Sequence, residues 1–81
     1  MSSDSRAATL PKRAEDRLID ALFVAFALAR AGDAGSGYEA LCVARCWALE
    51  DAAGEPWEAD AVERWDGSLE RFAKRWRVAR A

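Results

Sequence analysis

The stretch VERWDGSLERFAKRWRVA, residues 62–79, carries the pattern that decides the fold. Its apolar positions Val62, Trp65, Leu69, Phe72, Trp76 and Ala79 are spaced three, four, three, four and three residues apart. That alternation holds all of them on one face of an α-helix and matches a heptad-like seam. Asp66, Gly67 and Ser68 are turn and cap residues in its middle, yet the seam keeps its phase through them. The spacing therefore predicts one long helix with Gly67 on the outside, at a cost of about 1 kcal/mol relative to Ala. No strand pattern and no internal repeat competes with it.

Upstream, Pro56 fits the first turn of this helix, which is expected over 56–79 with Glu58 near its positive end. Gly54 ends a second helix that should run from Gly37 or Tyr38 to Ala53, opened by Ser36 and Glu39 as a capping box. Gly32 can take the left-handed conformation that closes a first helix over 11–31. In that helix Leu18, Leu22, Ala25 and Ala29 follow one face, while Ile19, Phe23 and Phe26 mark the adjoining strip. From Ala21 to Ala29 no polar residue intervenes, so the helix needs cover on more than one side. The expected architecture is a small all-α three-helix bundle, completed by homodimerisation through helix 1 or the aromatic seam of helix 3. Residues 10–81 make its single domain, and the polar, unpatterned residues 1–9 read as a flexible tail.

The apolar part of helix 1 also raises a signal peptide or membrane span. Glu15, Asp16 and Asp20 lie in or beside it, and the uncharged run is too short to cross a bilayer. The expectation is a cytoplasmic protein with no membrane partner. With 81 residues, four Trp and three Phe, the chain is rich in core material but short enough for association to help its stability.

The net charge of -2 conceals an uneven distribution. Residues 1–38 balance five acids with five bases, residues 39–70 hold nine acids and two bases, and residues 71–81 hold five bases and no acid. Arg71, Lys74, Arg75, Arg77 and Arg80, interleaved with Phe72 and Trp76, could contact nucleic acid. Equally, bases in the last turns of a helix suit its dipole whatever the function, and Asp60–Arg64 and Glu70–Lys74 are spaced as local i, i+4 pairs. A helix-turn-helix reading is opposed by Glu55, Glu58 and Asp60, which would turn an acidic helix start toward phosphates. The acidic stretch from Glu50 to Glu70 admits a nucleic-acid-mimicking inhibitor, or simply a solubilising surface.

Cys42 and Cys46 stand four apart and would share a helix face, but the chain has no His and no third Cys to close a zinc site. They read as small hydrophobes that form the inner face of helix 2 with Leu41 and Leu49. In GDAGSG, residues 32–37, the glycines suggest a phosphate loop, but no strand precedes it and Tyr38 stands where the lysine would be needed. An interhelical turn is the reading retained. For catalysis, Asp20 is the one carboxylate near an apolar stretch, and its simpler reading is an outward-facing helix residue. No enzyme, cofactor or metal is expected. The pattern points to an adaptor or regulator that offers a helical surface to a protein partner, with Phe23, Phe26, Trp47, Trp57, Trp65 and Trp76 as candidate anchors.

Overall fold

The structure, a computed structural model, describes residues 9–79. Among them three α-helices and no strand are found: α1 Lys12–Arg30, α2 Ala34–Ala52 and α3 Glu58–Trp76. Cross-helix pairs set the topology. Arg17, early in α1, pairs with Asp51, at the end of α2, and Glu15 pairs with Arg64 in the first half of α3. The helices therefore run up, down and up, as an antiparallel three-helix bundle. The expected tail falls mainly on residues 1–8, outside the described residues.

Each turn has a backbone cause. After α1, Gly32 takes φ 95°, and the Gly32 and Asp33 N–H groups return to the carbonyls of Ala29 and Leu28 at 3.0 and 2.9 Å, a Schellman closure. Asp33 then opens α2, its carboxylate accepting the Ser36 N–H at 3.1 Å. This moves the start of α2 to Ala34 and replaces the expected Ser36–Glu39 box, because an acceptor three residues upstream already serves the free N–H. After α2, Gly54 takes φ 82° and donates its N–H to Glu58 at 3.2 Å. Pro56 stays in that turn, so α3 begins at Glu58. At the far end Arg77 adopts a left-handed φ of 55°, and Val78 donates to Ala73 at 2.9 Å. Ala79 accordingly leaves the seam.

The α3 helix passes unbroken through Gly67 and buries Trp65, Leu69 and Phe72, with Val62 and Trp76 half-buried. Gly67 is not fully outside: the Arg71 guanidinium folds over it, 3.3 Å from where a β-carbon would stand. The core takes its bulk from α3, while α1 and α2 add Leu18 and Leu41 among mostly small residues: Ala25, Ala29, Ala48 and Ala52. Those small residues let α1 and α2 approach closely. A β-carbon on Gly37 would lie 2.7 Å from the Ala25 carbonyl oxygen and 3.1 Å from the Phe72 ring, so only glycine fits there. Phe72 is the hub, with its ring 5.7 Å from Phe26 of α1, 6.5 Å from Tyr38 of α2 and 6.3 Å from Trp76.

Of the two expected local pairs, one is replaced by a tertiary pair and the other does not form among the described residues. Arg64 reaches Glu15 at 3.0 Å instead of Asp60, whose carboxylate accepts the Leu10 N–H at 3.2 Å. Arg45 pairs with Asp66 across α2 and α3 at 2.8 Å. Glu70–Lys74 is not among the ion pairs of the described residues. These bridges are half-exposed and contribute roughly 0–1 kcal/mol each, so they guide register more than they hold the fold.

Candidate interaction surfaces

The bundle separates the aromatic candidates sharply. Trp65 is 1% exposed in the core, which removes it as a docking anchor. Trp76 is half-buried against Phe72 with the Arg75 guanidinium 5.4 Å from its ring centre, and its buried indole N–H has no hydrogen-bond partner among the described residues. Trp57 is half-buried in the wall of a cavity of about 440 Å³ that also touches Leu10, Arg13, Arg17, Asp51 and Trp65. Trp47, Phe23 and Phe26 are 64%, 75% and 37% exposed. Ile19, Val24 and Val43 are exposed as well, of which the sequence pattern marks only Ile19, as part of the helix 1 strip.

These exposed side chains fall on two faces. Glu15, Ile19, Leu22 and Phe26 are spaced four, three and four apart, so the Glu15–Arg64 pair shows that this column of α1 borders α3. Between the two helices lies a groove of about 220 Å³ lined by Leu22, Phe26, Ser68, Arg71, Phe72 and Arg75, with Phe23 on the adjoining strip. On the other flank of α1, Val24 follows Arg17 by seven residues, and Trp47 and Val43 precede its partner Asp51 by four and eight. Val24, Val43 and Trp47 therefore form an outer face of the α1–α2 pair. Exposed Asp20, Glu39 and Glu50 edge this second face, whereas Arg71 and Arg75 edge the groove.

The basic end of α3 is divided. Arg71, Lys74, Arg75 and Arg77 are all exposed and take part in none of the ion pairs among the described residues. Arg71 and Arg75 turn toward the α1 groove, while Lys74 borders a separate shallow depression with Glu70, Ala73 and Val78. Arg80 lies outside the described residues. The acidic stretch is partly occupied internally: Asp51 and Asp66 are ion-paired, and Glu58 and Asp60 accept backbone N–H groups.

Cys42 is half-buried and Cys46 exposed, both as free thiols. Of the expected inner face, Leu41 is buried and Cys42 and Leu49 pack half-buried against the core, but Cys46 is exposed, and the fully buried positions of α2 are Gly37, Leu41, Ala48 and Ala52. Among the described residues no group of three or more His, Cys, Asp or Glu side chains is placed to hold a metal ion. Asp20 is exposed and points outward. The GDAGSG segment forms the turn and the first residues of α2, with the Asp33 carboxylate already at the helix start. Its hydrogen bonds from Ser36 hold that carboxyl below its ordinary range. No helix of the described residues is long and apolar enough to cross a membrane.

No protein-family profile, curated protein or solved structure matches this chain.

Proposed function

We propose that this protein is a non-enzymatic interaction module, an adaptor or small regulator that docks a protein partner on the outer face of α1 and α2. The observation that carries this reading is Trp47. Its indole is 64% exposed, with Val43 and Val24 also exposed on that face of a helix pair whose own packing does not use them. Indole rings on rigid helices are favoured as interface anchors, since they bring a large contact area with little side-chain entropy to lose. The carboxylates of Asp20, Glu39 and Glu50 at its edge favour a partner whose apolar patch has a basic rim. The free thiols of Cys42 and Cys46 suit the reducing cytoplasm.

The test is paired capture from the native cell with the wild-type chain and Trp47→Ala, followed by direct titration of the purified captured protein. A partner bound by the wild type and lost with Trp47→Ala, at unchanged helical circular dichroism, supports the reading. Identical capture by both chains overturns it. A nucleic-acid role for the basic end of α3 is the rival, favoured by Arg71, Lys74, Arg75 and Arg77, which form no ion pair among the described residues, and weakened by the separation of Arg71 and Arg75 from Lys74. It predicts salt-dependent binding to mixed DNA or RNA that disappears when Arg71, Lys74, Arg75, Arg77 and Arg80 become Ala. An acidic mimic would instead compete with nucleic acid for a basic enzyme groove.

A further inference from the structure

We propose that the groove between α1 and α3 seats a second copy of this chain, whose α1 enters it antiparallel across a two-fold axis near Phe23. This uses a face different from that of Trp47, sharing with it only the edge residue Asp20, and stands independently of the function proposed above.

The groove is the unfilled fourth position of a helical bundle. While α1 and α2 pack backbone to backbone at Ala25 and Gly37, α1 and α3 are joined by side chains, the Glu15–Arg64 pair and the Phe26–Phe72 stack. Beneath Phe26 the opening is floored by Leu22, Ser68 and Phe72. The same molecule also carries a filling for it: Ile19 and Phe23 stand exposed beside the groove, and Phe23, at 75%, is the most exposed large apolar side chain described. Crossing two copies near Phe23 lays each Phe23 and Ile19 over the other's groove, so one kind of contact is made twice, as a two-fold interface requires.

Charge selects the direction. Because α1 and α3 run parallel, Arg71 and Arg75 lie level with the C-terminal half of α1, alongside Phe26 and toward Arg30. Asp16 and Asp20 lie on the N-terminal half. Within one copy Arg71, Arg75 and Asp20 take part in no ion pair among the described residues, and Asp16 has only the exposed Lys12. Antiparallel crossing brings the partner's Asp20 and the partner's Asp16 toward Arg71 and Arg75, and the reverse pairs follow by symmetry. Parallel crossing would instead gather Arg30, Arg71 and Arg75 of both copies at one end, a repulsive arrangement.

Sedimentation of the full chain over a concentration series tests the proposal. Expected is a monomer–dimer equilibrium without larger species, weakened by added salt. Phe23→Ser should give monomer at every concentration tested with unchanged helical circular dichroism. Asp20→Arg and Arg71→Asp should each raise the dimer Kd about tenfold, and the double variant should recover to within about threefold of the wild type. Trp47→Ala should leave the equilibrium unchanged. A wild-type chain that stays monomeric, a Phe23→Ser chain that still pairs, absence of rescue in the charge-swapped double variant, or open-ended growth beyond the dimer would each overturn it. Binding of the monomer to an acidic amphipathic peptide, without self-association, would assign the groove to a different protein.

Discussion

Helix α1 meets its two neighbours in opposite ways. Toward α2 it offers Ala25 and Ala29, and α2 answers with Gly37 and Ala48, so the backbones come close enough that a single β-carbon would collide with a carbonyl oxygen. Toward α3 it offers Leu22 and Phe26 against Phe72, and the rings hold the helices apart and leave a groove. Small residues consume their surface in the fold. Large ones, placed where two helices diverge, keep some of it for association. The same distinction separates a side of α1 where substitution should cost stability from one where it should cost only contacts with other molecules.

The contrast breaks most completely at Phe72, which touches both sides. Phe72→Ala removes the ring that packs on Tyr38 and Phe26, and unfolding by denaturant should show a loss of about 3–5 kcal/mol. On the tight side, Gly37→Ala forces the Ala25 carbonyl and the Phe72 ring to move and should cost about 1–3 kcal/mol in the same measurement. Beyond both seams, Arg77→Gly relieves a left-handed backbone at the end of α3 and should add about 1 kcal/mol. On the loose side, Phe23→Ser should leave monomer stability within about 0.5 kcal/mol, because the ring is already in water. Loss of several kcal/mol there would show that the groove face belongs to the monomer's own core.

The finest expected effect is acidic fraying of α2, at the end where the tight seam begins. Asp33 is held below its ordinary range in the folded chain, so its contribution is complete at neutral pH and fades as pH falls through the lowered folded value. Asp33→Asn keeps a side-chain acceptor at the cap and should remove this part of the pH dependence of helicity. Identical acid profiles for the wild type and the Asp33→Asn variant would show that the cap acts without its charge.

The third helix is the most legible part of the sequence, because Trp65, Leu69 and Phe72 are large and their spacing admits one face only. Its ends are less legible. Whether Pro56 starts the helix or stays in the turn, and whether Ala79 continues the seam, depends on Gly54 and Arg77 taking left-handed backbone angles. The second helix misleads for a different reason. Its leucines and cysteines draw attention to a face that includes exposed Cys46, while the closest packing falls on Gly37, Ala48 and Ala52, which carry little hydrophobic signal. Trp47 stands out from its residue type alone, but Val24 and Val43 join it only once Arg17 and Asp51 show how α1 and α2 are rotated.

The linear order of residues was enough to determine an all-helical chain, its short glycine turns and the residues that share each side of each helix, because these follow from a repeat close to 3.6 and from local backbone preference. Tertiary structure alone decided which sides of α1 and α2 are covered, and hence that Ala48 is buried while its neighbour Trp47 is presented to solvent. The physical reason is that coverage depends on the distance between helix axes. That distance is set jointly by residues far apart in sequence, such as Ala25 with Gly37 and Phe26 with Phe72.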